Sequence, residues 1–132
     1  MAIARRWFTE GWTGNLAMAD DIFSENLWTN SVHVGVAGPV ARIRDRLTGF
    51  PDVPTSIEDM FVAGDKLAVT LLWRGNHTGP YGGVAATGWP VEVRDTAIWQ
   101  FQDGKDAEIL TVQDQFGILK QIGVPPGKRP RR

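Results

Sequence analysis

Apolar residues in the first part of the chain recur at helical spacing. Ile3 and Trp7 lie four positions apart, as do Phe8 and Trp12, and this spacing predicts a helix over residues 2 to 12. The segment TGN then interrupts the pattern. A second stripe with helical spacing follows, and its members are Leu16, Ala19, Phe23 and Leu27. The sequence therefore predicts two amphipathic helices before residue 28.

A short alternating segment and a third helix come next. Residues 28 to 36 alternate apolar and polar positions, with Val32, Val34 and Val36 on one face, which predicts a short strand. A proline at position 39 fits the first turn of a helix. The apolar stripe of this helix has the clearest helical period in the chain and comprises Val40, Ile43, Leu47 and Phe50.

Two hairpins and a short helix are predicted after residue 54. The strands of the first hairpin meet at Gly64-Asp65, and those of the second meet at residues 102 to 105. A helix with an apolar stripe then runs from Gln115 to a capping Gly123. Helices followed by strands predict an α+β fold, in which a curved antiparallel sheet wraps the helices and leaves a pocket between them.

Length and composition limit the possible functions. The 132 residues fit a single domain, which we place at residues 1–124, followed by a basic tail at 125–132. The formal net charge of −1 favours neither nucleic acid nor a membrane surface as a partner. The chain has no cysteine, and its two histidines lie far apart, so no metal-ligand motif is present. Without a signal-peptide pattern or a long apolar run, a cytoplasmic protein is expected.

The segment TVQDQFG places a carboxylate beside apolar residues. In a strand, Asp114 shares a face with Leu110 and Val112, because residues two apart point the same way. If this face lines the pocket, Asp114 has bonding partners, a raised pKa or a catalytic role. Alternatively, Asp114 caps the helix that begins at Gln115. The two roles compete, because a carboxylate bonded to helix N–H groups has a lowered pKa.

A second carboxylate interrupts the apolar face of the strand over residues 91–101. Asp95 shares that face with Trp99, whereas Glu92, Arg94 and other polar residues occupy the opposite face. Either Asp95 pairs with a neighbouring arginine, or it acts on a ligand. Trp99 is either a core residue or part of a cavity wall for a flat apolar ligand.

Both histidines are further candidates. The strand over residues 67–77 carries Trp73 on its apolar face, and His77 ends the same row. His77 either holds the following glycine-rich loop through a backbone bond or assists an acid/base residue. His33 lies on the face opposite the three valines and is either exposed at a sheet edge or in contact with a ligand.

Two segments resemble the SnoaL-like polyketide cyclases of the NTF2-like superfamily. DGKDAEILTVQDQFGILKQIG, residues 103–123, is similar to the C-terminal motif of this family, and RGNHTGPYGGVAATGWPV, residues 74–91, is similar to its central segment. The resemblance implies an NTF2-like cone, with N-terminal helices packed in a curved antiparallel sheet around an internal cavity. It also implies a homodimer and a small hydrophobic, polyketide-like substrate, whose ring closes by intramolecular aldol condensation without cofactor or metal.

The resemblance assigns a role to Asp114, which matches the acid/base aspartate of the family. Beside it, either His77, which is expected to be catalytic together with Asp114, or His33 is expected to bind or protonate the substrate carbonyl oxygen. The residues expected to contact substrate are His33, Trp73, Asp95, Trp99 and Leu110. Leu110 replaces a family tryptophan, and Ala85 replaces a proline, so the pocket differs in shape from those of relatives.

Three function classes remain open at this point. The first is ring closure, and the second is another cofactor-free reaction in the same pocket, such as isomerisation or epoxide opening. The Arg-x-Asp pair of the limonene-epoxide hydrolases is missing from the strand segment KLAVTLL, which argues against their catalytic triad. The third is a binding protein without turnover, because a fold does not determine a function.

Overall fold

A computed structural model of the chain describes residues 2–51 and 55–123. The predicted basic tail at 125–132 lies outside this range. The helices are α1 (Ala2–Thr9), α2 (Ala19–Ile22), α3 (Ala37–Gly49) and α4 (Gln115–Gln121), with short 3₁₀ turns at Gly11–Thr13 and Leu16–Met18. The strands are β1 (Phe23–Thr29), β2 (Val32–His33), β3 (Thr55–Ala63), β4 (Lys66–Asn76), β5 (Pro90–Gln102) and β6 (Lys105–Gln113).

The strands form one curved six-stranded sheet in the order β2-β1-β6-β5-β4-β3. Strand β1 runs parallel to β6, and all other neighbouring pairs are antiparallel. The sheet is therefore mixed, and the prediction of a wholly antiparallel sheet is wrong for this one pair. Both predicted hairpins are present, with φ of 58° at Gly64 and 82° at Gly104. Glycine adopts such positive φ values at little cost, which makes these tight turns possible.

The second predicted helix is wrong beyond residue 22. The chain forms α2 only up to Ile22 and then becomes strand β1, in which Phe23 and Leu27 are fully buried. A spacing of four residues places two side chains on one face of a helix, but it also places them on one face of a strand. Pairing with β6, which starts 82 positions later at Lys105, decides between these possibilities, and no local sequence pattern reports it.

The predicted strand over residues 28–36 is instead the end of β1, a turn at residues 30–31, the two-residue strand β2 and the segment that leads into α3. Asn30 and Ser31 have φ of 48° and 67°, so the chain reverses there and pairs Trp28 with His33. The alternating valines therefore do not form one strand face. Val34 and Val36 lie beyond β2 and pack against the core while remaining partly exposed.

The helices cover the inner face of the sheet and form the core with it. Buried side chains alternate along β4 and β5, as the sequence predicts for both strands. Trp7 of α1 packs edge-on against Phe23 at 5.0 Å between ring centroids, and Phe8 lies 5.0 Å from Trp99. Such aromatic pairs contribute roughly 0.5–1.5 kcal/mol each beyond the burial of their surface. They fix α1 against β1 and β5 and define one end of the cavity described below. Within the described residues, no helix is long and apolar enough to cross a membrane.

Candidate active site

A cavity of about 220 Å³ lies between the helices and the inner face of the sheet. Its wall is mainly apolar and includes Trp7, Phe8, Ile43, Leu71, Trp99 and Ile109. The polar residues of the wall are Thr29, Arg42, Asp95 and Thr111. A concave, mainly apolar space with a few polar groups is the usual form of a small-molecule site. We call it the apolar cavity.

Asp95 is the acidic residue of this wall, and only 1% of its surface is exposed. Its Oδ1 accepts a hydrogen bond from Arg42 Nη2 at 3.2 Å. Its Oδ2 accepts from Trp73 Nε1 at 3.1 Å and from Gln113 Nε2 at 3.2 Å. Three donors from three different elements therefore hold the carboxylate in one orientation.

Burial raises the pKa of the Asp95 carboxyl above its ordinary value. The positive charge of Arg42 opposes this effect, followed by the hydrogen bonds from Trp73 and Gln113. An unburied aspartate is too acidic to exchange protons efficiently near neutral pH, so a raised pKa improves it as a general acid or base.

Arg42 links the carboxylate to the sheet. Its Nη1 donates to Thr111 Oγ1 at 3.1 Å, and the threonine hydroxyl in turn donates to the backbone oxygen of Thr96 at 3.3 Å. The arginine side chain is 35% exposed, whereas that of Asp95 is almost completely buried. Arg42 thus forms the part of the cavity wall that is in contact with solvent.

Asp114 does not lie on the cavity wall. It is exposed and forms the N-cap of α4, where its Oδ1 accepts a hydrogen bond from the amide of Gly117 at 2.8 Å. The prediction that Asp114 faces the pocket is wrong. The row of β6 that contains Leu110 and Val112, with which Asp114 was expected to share a face, lies on the outer side of the sheet. Val112 is 73% exposed and Leu110 is 51% exposed on that face.

The inner residues of β6 are Ile109, Thr111 and Gln113. The apolar row of this strand therefore points outward, and two of its three inward residues are polar. The expected contact between Leu110 and substrate is wrong for the same reason. Choosing the inner face by hydrophobicity failed here because the outer face of the sheet is itself partly apolar.

His77 lies outside the lining of the apolar cavity. Its side chain is completely buried against Phe50, at 5.4 Å between ring centroids. The amide of Thr87 donates to His77 Nδ1 at 3.2 Å, and Thr87 Oγ1 lies 2.8 Å from the same nitrogen. Burial lowers the pKa of the imidazole. A neutral, buried histidine in these contacts holds the loop over residues 78–89 in place.

The other predicted contact residues have separate positions. Trp99 lines the cavity directly. Trp73 is fully buried beneath it and contributes its indole N–H to Asp95. His33 is exposed on β2 at the edge of the sheet, with its ring 5.3 Å from that of Trp28. The structure thus brings Trp73, Asp95 and Trp99 together and leaves His33 apart from them.

The sequence analysis missed two arginines of α3. Arg42 binds Asp95, and Arg46 is only 4% exposed on the inner side of the same helix. The predicted apolar stripe of α3 included Leu47, which is partly exposed. The buried positions of this segment are Pro39, Ile43, Arg46, Gly49 and Phe50. The spacing from Pro39 to Phe50 also has helical period, and it would have placed Arg46 in the core.

A second acidic residue is buried away from the cavity. Asp106 has no exposed surface and lies at an irregularity where β5 and β6 shift register. Burial raises the pKa of its carboxyl to about 8. Within the described residues, no group of three or more His, Cys, Asp or Glu side chains is arranged to hold a metal ion.

Comparison with known proteins identifies the family of this chain. The family model for SnoaL-like polyketide cyclases matches residues 2–122. None of the curated protein sequences matches the chain. A protein from Jannaschia sp. CCS1, assigned to the SnoaL-like polyketide cyclases, is 25% identical and has a TM-score of 0.84. That alignment covers 95% of this chain and 92% of the other.

Two further solved structures share the fold. AclR from Streptomyces galilaeus, assigned as a hydroxylase, is 22% identical, with a TM-score of 0.83 over 98% of this chain and 83% of its own. IdmH from Streptomyces antibioticus, assigned as a polyketide cyclase, is 21% identical, with a TM-score of 0.80 over 93% of this chain and 97% of its own. With an NTF2-like fold and a family match along almost its whole length, the chain belongs to the SnoaL-like polyketide cyclase family.

Proposed function

We propose that this protein is a cofactor-free enzyme that closes a ring in a small polyketide-type substrate by intramolecular aldol condensation, with Asp95 as the acid/base residue. The observation that carries this proposal is the position of the Asp95 carboxylate, buried in an apolar, aromatic-walled cavity and held by three donors. Family membership supports the reaction class, and the side-chain geometry supports the choice of residue.

The proposed reaction needs one proton acceptor that later becomes the donor. The Asp95 carboxylate removes a proton from a carbon next to a substrate carbonyl, which gives an enolate. The enolate carbon attacks a second carbonyl of the same molecule, so a C–C bond forms and the C=O π electrons become an alkoxide. The Asp95 carboxyl then returns its proton to that alkoxide. The product is an isomer of the substrate, and no oxidant or reductant is consumed.

The cavity favours this reaction in two further ways. Its apolar wall excludes water from the enolate and raises the pKa of Asp95 toward the range in which proton exchange is efficient. The aromatic side chains Trp7, Phe8 and Trp99 restrict a flat substrate to folded conformations, which brings the two reacting carbons together.

Asp95 is a better candidate than Asp114, although Asp114 matches the family aspartate. Asp114 is exposed, lies outside the cavity wall, and its Oδ1 accepts a hydrogen bond from the Gly117 amide as the N-cap of α4. Asp95 is buried and lines the cavity. Isomerisation and epoxide opening remain alternative reactions for the same carboxyl, and binding without turnover remains the non-catalytic alternative.

The outer face of the sheet supports a homodimer. Ile98 and Leu110 are register partners on β5 and β6, and they are 40% and 51% exposed. Val112 extends this apolar patch, whereas ion pairs such as Arg94–Glu58 lie beside it. An apolar centre with a polar rim is typical of a protein–protein interface. We propose that two copies pair through this face.

The proposal is tested by identifying a ligand and comparing two aspartate variants. Mass spectrometry of the purified protein identifies a co-purified compound, and turnover of its open-chain precursor is then followed by chromatography. Asp95→Asn removes proton exchange but retains size, so turnover is expected to fall by about 10²- to 10⁴-fold with ligand affinity largely kept. Asp114→Asn is the matched control and is expected to keep activity. Loss of activity in Asp114→Asn alone, with its fold intact, would return the assignment to Asp114.

A further inference from the structure

Arg46 is a buried cation whose hydrogen-bonding capacity is mostly unused. Its guanidinium carbon lies 4.4 Å from the ring centroid of Trp12 and 5.3 Å from that of Trp73. Its Nη2 donates to the backbone oxygen of Trp12. Within the described residues, Nε and Nη1 have no hydrogen-bond partner, and no carboxylate forms an ion pair with this side chain.

The nearby charge of Asp95 favours the charged form of Arg46 and so offsets part of the cost of its burial, but it leaves the N–H groups at Nε and Nη1 without an acceptor. Burying a charged group without partners for its N–H groups is strongly destabilising. Burial lowers the pKa of Arg46 to about 10, so the side chain stays positively charged at neutral pH. Stacking on two indole rings compensates for part of the lost hydration, but it supplies no acceptor for Nε and Nη1.

Arg46 also forms part of the wall of a second cavity, of about 220 Å³. This cavity is polar, in contrast to the apolar cavity, and its other polar wall residues are Arg42, Asp45, Tyr81, Gln113 and Gln115. The two cavities share Trp12, Arg42 and Ile43. Arg42 and Gln113, which line the polar cavity, both donate to Asp95. Asp95, Arg42 and Gln113 therefore lie at the boundary between the two cavities.

The wall of the polar cavity has a net positive charge, because its two arginines outnumber its one aspartate. Arg42 and Arg46 bring two positive charges to its wall. Asp95 is already bonded to Arg42, and Asp45 is exposed to solvent. The Tyr81 hydroxyl donates to Gln115 Oε1 at 3.0 Å, which fixes this part of the wall. A guanidinium presents several N–H donors in one plane, which matches the two oxygens of a carboxylate.

We propose that the polar cavity binds a carboxylate of the substrate through Arg46, while the apolar body of the same molecule occupies the apolar cavity. This inference rests on the proposed function and adds the substrate class, a flat apolar acid. Asp95 lies between the two cavities. In a substrate bound in this way, the carbon atoms nearest to the Asp95 carboxyl are those that connect the substrate's acid group to its ring-forming part.

Equilibrium binding tests the inference without any turnover. Isothermal titration calorimetry compares 2-naphthoic acid, which is ionised at pH 7.5, with 2-naphthamide, which has nearly the same shape and no charge. We expect the wild-type protein to bind the acid about tenfold more tightly than the amide, or better, as a charge-assisted hydrogen bond predicts. In Arg46→Met this ratio should fall to within about twofold of unity, with amide affinity unchanged.

Arg44→Met is the matched control, because Arg44 lies exposed on the same helix and carries the same charge. It should keep the ratio of the wild-type protein. Equal binding of the acid and the amide by the wild-type protein would overturn the inference, because a water-filled cavity gives no such preference. A ratio that survives in Arg46→Met would also overturn it and would point to Arg42.

Two further variants cover folding failure and the link to catalysis. If circular dichroism shows Arg46→Met unfolded, Arg46→Lys replaces it. Lysine keeps the charge but loses the planar set of donors, so the ratio should fall severalfold, and an unchanged ratio would overturn the inference. Asp95→Asn should keep or increase the preference for the acid. If Asp95→Asn retains turnover, the assignment of the catalytic residue fails while the carboxylate subsite stands.

Discussion

Arg42 binds the carboxylate of Asp95 from the solvent side of the cavity, with 3.2 Å between Nη2 and Oδ1. The two side chains differ in exposure, at 35% for Arg42 and 2% for Asp95. The ion pair thus joins a buried acid to a cation that water still reaches. Because one partner remains hydrated, Arg42 opposes the effect of burial on the pKa of Asp95 without cancelling it.

Removing the arginine should change the titration of Asp95 in a known direction. Burial raises the pKa of Asp95 and Arg42 is the largest opposing influence, so Arg42→Met should raise this pKa further. A carboxyl accepts protons only when ionised, so the acid limb of the pH–rate profile should also move to higher pH. The pKa is measured from the carboxyl carbon of Asp95 by ¹³C NMR, which needs no substrate. Arg44→Met serves as the control, and an unchanged or lower pKa in Arg42→Met would contradict the proposed role of Arg42.

The sequence predicts the parts of the site that one strand determines alone. The alternation along β5 places Asp95 and Trp99 on the inner face, and the burial of that strand agrees residue by residue. Prediction of the inner face from this alternation fails where both faces of a strand have apolar residues. In β6 the inner positions are Ile109, Thr111 and Gln113, and neither Thr111 nor Gln113 differs locally from a surface residue.

Partners from distant parts of the chain are also beyond local prediction. The donors to Asp95 come from α3, β4 and β6, and the closest of them in sequence, Gln113, is 18 positions away. Only the assembled sheet and the helix above it bring them together. Hairpin turns depend on neighbouring residues, so Gly64 and Gly104 were predictable from the sequence.

Asp106 should make stability depend on pH. In the folded protein its pKa is raised from 3.8 to about 8, so the folded state holds a proton that the unfolded state releases above about pH 4. Stability is therefore expected to fall as the pH rises from about 4 to 8, by at most about 6 kcal/mol, since the pKa differs by about 4 units and each unit corresponds to about 1.4 kcal/mol.

Asp106→Asn tests this expectation, because asparagine stays neutral throughout that range. As the pH rises from 5 to 8.5, the free energy of unfolding should fall in the wild-type protein more than in the variant. Urea unfolding at the two pH values measures the change in the free energy of unfolding. Asp65→Asn, at an exposed turn position, is the control and should leave the pH dependence unchanged. An equal pH dependence in Asp106→Asn and the wild-type protein would show that Asp106 does not retain its proton.

A charge placed on the outer face of the sheet should prevent dimer formation. Leu110 is 51% exposed and pairs in register with Ile98. In Leu110→Asp a carboxylate would be buried without a partner in the proposed interface, which would cost several kcal/mol. Light scattering at micromolar concentration should show a dimer for the wild-type protein and a monomer for the variant. Val32→Asp, at an exposed position on the edge strand β2, should remain dimeric. A monomeric wild-type protein would refute the proposed pairing.

Asp114 and Gly117 should act as one structural unit at the start of α4. The Gly117 amide donates to Asp114 Oδ1 at 2.8 Å, and a Cβ at position 117 would overlap Asp114 Oδ2. Asp114→Ala should therefore cost about 0.5–2 kcal/mol in the free energy of unfolding, whereas Asp114→Asn should cost little. Gly117→Ala displaces the carboxylate but favours the helix by about 1 kcal/mol.

The double variant Asp114→Ala/Gly117→Ala separates these two contributions. Once the carboxylate is gone, alanine at 117 meets no clash from it and only the helical preference remains. Gly117→Ala should then stabilise the Asp114→Ala protein by about 1 kcal/mol, while having a smaller or opposite effect in the wild-type background. Chemical unfolding of the four proteins gives the interaction energy, and purely additive effects would show that a Cβ at position 117 does not disturb the Asp114 cap. If Asp114→Asn kept full stability but lost turnover about 10²-fold or more, Asp114 would act in catalysis as well as in capping.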